Sequence, residues 1–183
     1  IDRSRGLGDV YKRQGGYHGD TLGAMSVSDP ATGRHEAFAM LPRHYFAERP
    51  PKRGADFTEA IESLAEVLER DDVAALILEP LVQGAGGMHF YDPGYLQQAR
   101  HLCDRHDVLL ICDEIATGFG RTGHWFACDE AQIKPDILCV GKALTGGYVT
   151  MGATLATEKV ASSVCAAPPG SEDDALPLMH GPT

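Results

Sequence analysis

The stretch VLLICDE, residues 108–114, is an apolar run that ends abruptly in two acids. Continuous apolar residues without polar alternation are typical of a strand that is buried on both faces of a parallel sheet. Two similar runs lie on either side of it in the chain, VAALILEP at residues 73–80 and DILCV at residues 136–140. A further strand is expected within MGATLAT, residues 151–157.

Amphipathic helices are predicted between these strands. Two segments show the pattern of an amphipathic helix, with one apolar and one charged face. They are DFTEAIESLAEVLER, residues 56–70, and DPGYLQQARHLCDRHD, residues 92–107. In the first segment the apolar face comprises Phe57, Ile61, Leu64, Ala65 and Leu68. Pro93 suits the first turn of the second helix. Strands that alternate with such helices predict an α/β fold with a mostly parallel sheet and helices on both faces.

The three clearest strand runs end in an ionisable residue, namely Glu79, Asp113 and Lys142. In open parallel sheets the ligand crevice lies outside the carboxyl ends of the strands, so these groups are expected to converge on one site. Taken singly, each charge also fits a solvated loop residue. Taken together, with the acids entering from an apolar run and Lys142 flanked by glycines, they favour a functional site.

An acid and a lysine in one crevice suit pyridoxal 5′-phosphate (PLP). This cofactor needs an amine to form a Schiff base and a carboxylate to keep its pyridine nitrogen protonated. Lys142 would supply the amine and Asp113 the carboxylate. Glycines 141, 146 and 147 would let the backbone approach a flat ring or a phosphate closely. A structural Lys–Asp ion pair is the rival interpretation.

The segment GFGRTG, residues 118–123, matches the GxGxxG pattern of dinucleotide-binding loops. Such a loop follows its strand directly and opens a helix, with an acid at the end of the next strand. Here EIAT intervenes, the following helical pattern is weak, and Lys142 follows the next strand. The pattern therefore argues weakly for a nucleotide-dependent oxidoreductase. Arg121 in this loop would either clamp a substrate carboxylate or pin the loop through an ion pair.

Composition and charge exclude several classes of protein. The 183-residue chain is 43% hydrophobic and 23% charged, with a formal net charge of −10, and has no Lys/Arg-rich patch that would favour nucleic acid. No apolar run has the length of a membrane-spanning helix, and no signal-peptide pattern opens the chain.

Cysteine and histidine usage indicates a reducing setting and no metal site. Five cysteines form no CxxC pair, and Cys112 and Cys139 lie inside strand-like runs, so a cytoplasmic protein with reduced thiols is expected. Eight histidines are scattered, and the nearest pair, His101 and His106, misses the i, i+4 spacing of two ligands on one helix face.

Four motifs together resemble the fold-type I, class III PLP-dependent aminotransferases. They are LILEPLVQGAGGM at residues 76–88, LLICDEIATGFGRTG at 109–123, KPDILCVGKALTGG at 134–147 and the closing MHGPT at 179–183. The order and spacing of the motifs fit from about residue 15 to residue 183. The resemblance implies transamination, PLP as cofactor, small-molecule substrates and a homodimer with a shared active site.

Carried over by position, the resemblance assigns the cofactor contacts. Lys142 would be the catalytic Schiff-base lysine and Asp113 the partner of the pyridine nitrogen. Ile115 and Tyr17 would pack against opposite faces of the ring, and Glu79 would lie near the cofactor or support Asp113.

The same resemblance implies further contacts. Tyr17, Lys142 and Gly181 would line the substrate pocket, and Asp20 would lie near it. Pro182 and Thr183 would bind the phosphate of the cofactor in the neighbouring subunit.

Within the class, YHGDTLGAMSVSDP at residues 17–30 and the closing motif are most similar to the branch that acts in biotin biosynthesis. That branch transfers an amino group from S-adenosylmethionine to 8-amino-7-oxononanoate. The alternatives are an ω-amino donor of the ornithine, acetylornithine or 4-aminobutyrate type, or an inactive fragment.

The expected domain organisation is incomplete. Residues 1–14 are dense in charge, show neither helical nor strand periodicity and are interpreted as a lead-in foreign to the family. Residues 15–183 would form part of the large PLP-binding domain, without the family's N-terminal segment and C-terminal small domain. Weak or no activity is expected of these 183 residues alone.

Overall fold

A computed structural model describes residues 9–13, 15–29 and 44–164 of the chain. Strands and helices alternate along most of this length. The strands are β1 (Asp9–Arg13), β2 (Phe46–Ala47), β3 (Val73–Leu78), β4 (Val82–Gln83), β5 (His89–Phe90), β6 (Leu109–Asp113), β7 (Ile137–Val140) and β8 (Ala153–Ala156). The helices are α1 (Leu22–Ser26), α2 (Thr58–Leu68), α3 (Pro93–His106), α4 (Ala127–Glu130) and α5 (Glu158–Val164), and a 3₁₀ turn covers Lys142–Thr145.

Six strands form one sheet in the order β2-β1-β3-β6-β7-β8. All neighbouring pairs are parallel except β7 and β8, which are antiparallel, while β4 and β5 form a separate antiparallel pair. Helix α3 connects β3 to β6 and helix α4 connects β6 to β7, as parallel neighbours require a crossover connection. The predicted α/β class with a mostly parallel sheet is confirmed.

The register of the three central strands brings their carboxyl ends to one edge of the sheet. Leu78, the last residue of β3, pairs with Cys112 in β6, and the next residue of β6, Asp113, pairs with Cys139 in β7. Adjacent strands lie about 4.8 Å apart. The residues that follow β3, β6 and β7 are therefore neighbours at a single edge.

The two long helices begin and end with recognisable capping contacts. Asp56 accepts a hydrogen bond from the Thr58 amide before α2, and Asp92 accepts one from the Gly94 amide at the start of α3. Pro93 occupies the first turn of α3, as predicted, and the helix ends where Asp107 adopts a left-handed φ of 52°. Both predicted helices are confirmed.

The hydrophobic core lies between these helices and the central strands. Leu64 of α2, Leu96 of α3, Leu76 of β3 and Leu110 of β6 are fully buried in one cluster. Ile61 and Ala65, which sequence periodicity placed on the apolar face of α2, pack against this cluster while partly buried. Burial of this apolar surface provides the main force that holds α2 and α3 on the sheet.

Residues 1–14 show no strand periodicity in the sequence and were left out of the predicted fold, but the structure places a strand there. Asp9–Arg13 form β1, which lies between β2 and β3 and pairs in parallel with both. Backbone hydrogen bonds to two neighbouring strands decide this assignment, because strand preference depends more on the surrounding sheet than on local composition. A charged segment can therefore form an interior strand that its own pattern does not predict.

The four cysteines in the described part of the chain form no disulfide. Cys103, Cys112 and Cys128 are buried and free, and Cys139 is half-buried and free. Burial raises the pKa of both Cys103 and Cys128 to about 12, so these thiols stay protonated and unreactive near neutral pH.

Among the helices described, none combines the length and the apolar composition that crossing a membrane would require.

Replacing Leu110 with alanine should lower the free energy of unfolding by about 2–5 kcal/mol, because the substitution leaves a cavity between the sheet and its helices. Denaturant unfolding monitored by circular dichroism measures the change. The control is Leu155→Ala on the outer strand β8, where the side chain is 52% exposed and much less buried surface is lost. Equal losses for the two variants would contradict the position of the core.

Candidate functional site

The ends of the three central strands open into one cavity of about 1310 Å³. Glu79 after β3, Asp113 at the end of β6 and Lys142 after β7 all line it. The convergence predicted from the strand ends is therefore found. It follows from the parallel pairing, because the carboxyl ends of adjacent parallel strands lie at the same edge of the sheet.

Asp113 is held on both of its carboxylate oxygens, although its residue is only 5% exposed. Its Oδ1 accepts a hydrogen bond from the Ile115 amide at 3.1 Å, and its Oδ2 lies 2.7 Å from Nδ1 of His18. A buried carboxylate is costly unless such donors replace water. The arrangement can present an oriented acceptor to a group in the cavity.

His18 is a site residue that sequence reasoning missed. It lines the cavity between Tyr17 and Gly19, and its contact with Asp113 spans 95 positions in the chain. The only local signal is its place in YHGD, where the neighbouring Tyr17 and Asp20 had been singled out. A contact of such long range follows from the fold and not from the local pattern.

Glu79 ties the segment before α1 to the loop after β3. Its Oε1 accepts a hydrogen bond from the Tyr17 amide at 3.0 Å, and its Oε2 accepts one from the Gly84 amide at 2.9 Å. Burial raises the pKa of Glu79 above its ordinary value, and the two amide donors partly oppose that rise. Glu79 therefore acts as a structural support for one wall of the cavity.

Lys142 begins the 3₁₀ turn directly after Gly141 and has a left-handed φ of 43°. Such a backbone conformation costs energy in a residue with a side chain, and strained residues of this kind cluster at functional sites. A Cβ on Gly141 would lie 3.4 Å from the Met151 carbonyl oxygen and 3.5 Å from the Ile115 side chain. Gly141 therefore lies in ordinary contact with its neighbours, while the lysine side chain is exposed on the cavity.

Tyr17 and Ile115 line the same cavity. Asp20 is not among the lining residues, but its side chain is hydrogen-bonded to Tyr17. That hydrogen bond is the main cause that raises the pKa of Tyr17. Asp20 therefore contacts the site through Tyr17. Arg121 also lines the cavity, from the loop after β6.

The predicted contacts of Gly181, Pro182 and Thr183 lie outside the residues that the structure describes.

Glu114 is a second residue that sequence reasoning did not assign. Its carboxylate is fully buried and accepts hydrogen bonds from the Thr117 hydroxyl and from the amides of Ala127 and Cys128. These contacts close the loop 118–126, which contains the GxGxxG pattern, onto the end of β6. A Cβ on Gly118 would lie 3.0 Å from the Glu114 carbonyl oxygen, so glycine at this position serves a close backbone approach.

The GxGxxG segment does not open a helix. The next helix, α4, starts at Ala127 and has four residues. The strand–glycine–helix arrangement that binds a dinucleotide is therefore not formed here.

The chain matches proteins of one family throughout its length. Residues 5–183 match the family described as Aminotransferase class-III. The adenosylmethionine-8-amino-7-oxononanoate aminotransferase of Mycobacterium leprae (strain TN) is 50% identical over 187 residues, covering 98% of this chain and 41% of that protein. The protein of the same name from Saccharomyces cerevisiae is 42% identical over 197 residues, covering 92% of this chain and 40% of its own length.

Solved structures give the same result for the fold. The adenosylmethionine-8-amino-7-oxononanoate aminotransferase from Methanocaldococcus jannaschii superposes with a TM-score of 0.84 and 36% identity, covering 99% of this chain and 41% of that one. The ornithine aminotransferase from Toxoplasma gondii superposes with a TM-score of 0.73 and 33% identity, covering 93% of this chain and 37% of that one. The chain spans about two fifths of the length of the relatives that it matches.

The buried carboxyl of Glu79 should make stability depend on pH. Its pKa is raised above 4.5, so the folded protein binds this proton more tightly than the unfolded chain does. As pH rises from 4.5 through the folded pKa, this carboxyl should therefore reduce the free energy of unfolding. Glu79→Gln should lack that component in urea denaturation across this range.

The matched control is Glu66→Gln, an exposed position on α2, whose pH profile should follow that of the unmodified protein. A Glu79→Gln profile that runs parallel to the unmodified one would contradict the burial of an ionisable carboxyl at this site.

Proposed function

The chain belongs to the class-III aminotransferase family, and we propose that its cavity is part of an active site that binds PLP for transamination. One observation carries the proposal: Asp113 and Lys142, at the ends of adjacent strands, line the same cavity. The ornithine aminotransferase from T. gondii carries PLP at its active site by its own description.

The residues around the cavity fit PLP chemically. An anchored carboxylate, Asp113, suits the protonated pyridine nitrogen, and the exposed amine of Lys142 suits the aldehyde carbon. Ile115 offers an apolar surface and Tyr17 an aromatic one for the faces of the ring. Glu79 would support this wall through its bonds to the Tyr17 and Gly84 amides.

When bound, PLP supplies a carbonyl carbon that accepts an amino group and a ring that withdraws electrons from the bond to be broken. Lys142 would hold the cofactor through its amine. Its Nζ would also move the proton at the substrate α-carbon. Asp113 would keep the ring nitrogen protonated by accepting its hydrogen bond.

We propose that the longer protein uses S-adenosylmethionine as amino donor and 8-amino-7-oxononanoate as acceptor, forming 7,8-diaminononanoate in biotin biosynthesis. Relatives that bear the name of this reaction are 42–50% identical to the chain. Tyr17, Asp20 and Gly181 would contact the substrates. The structural similarity to an ornithine aminotransferase at 33% identity favours an ω-amino donor as the second candidate.

The proposed assembly is a homodimer in which each active site is shared. Tyr148, Val149 and Met151 line the cavity and are 94%, 63% and 59% exposed. Large apolar side chains so exposed at a cavity mouth favour an interface that covers them. In that dimer Pro182 and Thr183 of one subunit would bind the phosphate of the cofactor held by the other.

The longer protein should bind PLP covalently through Lys142. Borohydride reduction followed by peptide mapping should place the cofactor on the peptide that contains Lys142, and Lys142→Ala should abolish both the label and the visible absorbance of bound PLP. The control is Lys134→Ala, an exposed lysine of the same chain. Retention of the covalent label in Lys142→Ala would contradict the assignment.

The amino donor can be identified in a half-reaction. S-adenosylmethionine, ornithine and 4-aminobutyrate are each added separately to the PLP-loaded protein, and the loss of its visible absorbance is followed. S-adenosylmethionine should cause the loss, whereas the other two donors should leave the spectrum unchanged. A loss with ornithine or 4-aminobutyrate and none with S-adenosylmethionine would favour the second candidate.

A further inference from the structure

The loop 84–88, with the sequence GAGGM, joins β4 to β5 and forms part of the cavity wall. Gly84, Ala85 and Met88 line the cavity from this loop. Four of its five residues are glycine or alanine, and the strands that it joins have two residues each. Met88 adopts a left-handed φ of 50°. So short a hairpin has few side chains of its own to pack, so contacts from other parts of the chain have to hold it in place.

Arg49, which lies two residues beyond the end of β2, holds the middle of this loop. Its Nε donates to Oε1 of Gln83 at 2.5 Å, and its Nη2 donates to the Gly86 carbonyl at 2.5 Å. Gln83 is the last residue of β4 and is only 2% exposed. A guanidinium is planar and presents its donors in a fixed fork. One side chain therefore fixes the middle of the loop relative to the end of β4.

The backbone of the loop also packs closely against the segment before α1. A Cβ on Gly86 would lie 2.3 Å from the Gly15 carbonyl oxygen, and a Cβ on Gly15 would lie 2.9 Å from Nε of Arg49. Both distances are shorter than a side chain tolerates, so the close approach requires glycine at both positions. Arg49 therefore lies where three segments meet, and its removal would leave a gap between them.

The first residue of the loop has a separate anchor. The Gly84 amide donates to Oε2 of Glu79 at 2.9 Å, and the Met88 amide donates to the Gly84 carbonyl at 2.9 Å. Glu79 thus holds the first residue of the loop, and Arg49 holds its middle. Loss of Arg49 should free residues 85–88 without releasing Gly84.

We propose that Arg49 is a positioning residue, which fixes residues 85–88 as a wall for the substrate in the cavity. Ala85 and Met88 line the cavity from this part of the loop, whereas Gly86 and Arg49 are not among its described lining residues. Arg49 therefore acts through the loop and not by touching a ligand. The identity of the ligand rests on the proposed function, but the contacts of Arg49 are a property of the chain without a ligand.

The two anchors assign the parts of the wall to different ligands. Leu78 and Cys112 are paired across β3 and β6, so Glu79 and Asp113, the residues after them, lie side by side. The proposed function places the pyridine nitrogen of PLP at Asp113, beside the anchor of the first loop residue. The part of the loop that Arg49 holds is then left to contact the substrate.

The test uses the longer protein with the variants Arg49→Ala and Arg49→Lys. Alanine removes both donors, whereas lysine keeps the charge but lacks the planar fork that reaches both acceptors. Arg105→Ala is the matched control, an exposed arginine on α3. Melting temperatures of all variants are measured first, and if Arg49→Ala does not fold, Arg49→Lys carries the test.

Hydrogen exchange resolved to single amides measures the loop in the cofactor-free protein. In Arg49→Ala the Met88 amide should exchange at least about tenfold faster than in the unmodified protein, because its turn opens more often. Arg49→Lys should show an increase of at least about threefold, and the Gly84 amide should stay within about twofold in both variants. Arg105→Ala should leave both amides unchanged.

Steady-state kinetics and cofactor titration separate the substrate from PLP. The substrates are S-adenosylmethionine and 8-amino-7-oxononanoate, and fluorescence titration gives the dissociation constant of PLP. Arg49→Ala should raise the KM of each substrate at least about fivefold, with kcat and the dissociation constant of PLP within about threefold of the unmodified protein. A general loss of structure would instead change all of these quantities together.

The inference is overturned if the Met88 amide exchanges at the unmodified rate in Arg49→Ala or in Arg49→Lys. It is also overturned if Arg49→Ala lowers kcat or weakens PLP binding while the KM values stay unchanged. If the unmodified protein binds no PLP while the Met88 amide still exchanges faster in the Arg49 variants, the proposed function fails and the hold of Arg49 on the loop stands.

Discussion

Parallel pairing of β3, β6 and β7 is the constraint on which the site depends. Their register ends the three strands at one edge of the sheet, with Glu79 directly after β3, Asp113 as the last residue of β6 and Lys142 just beyond the end of β7. Helices α3 and α4 lie in the connections between these strands, as parallel neighbours require. The helices pack on the strands through a leucine-rich cluster, so the hydrophobic core fixes the spacing of Glu79, Asp113 and Lys142.

Each buried acid at this edge is stabilised by hydrogen-bond donors. Glu79 and Asp113 accept hydrogen bonds from backbone amides, and Asp113 is also hydrogen-bonded to the imidazole of His18. Glu114, the residue after Asp113, accepts three hydrogen bonds from residues that follow it in the chain. Adjacent acids of one strand end thus have different tasks: Asp113 faces the cavity, and Glu114 closes the loop that forms part of its wall.

The sequence predicts those parts of the fold that local pattern determines. Continuous apolar runs identified β3, β6 and β7, and helical periodicity identified α2 and α3, because burial on these elements repeats with the period of the backbone. Class membership also followed from motif order, and the match over residues 5–183 confirms it. Strand β1 was missed because its pairing with β2 and β3 overrides a charged local composition.

The site was predictable only in part, for a related reason. Asp113 and Lys142 stand at strand ends, where the fold rule for parallel sheets applies. His18 and Glu114 act through partners that no local pattern specifies: one contact spans 95 positions, and the other depends on how a loop folds back. The sequence analysis predicted Asp20 near the pocket. In the structure Asp20 contacts Tyr17 but does not itself line the cavity.

The most direct test of the account is a crystal structure of the longer protein grown with PLP. The account predicts continuous electron density from Nζ of Lys142 to the cofactor, with the Asp113 carboxylate within hydrogen-bond distance of the pyridine nitrogen. Cofactor density at another part of the chain, or a bound ring that Asp113 does not reach, would contradict it.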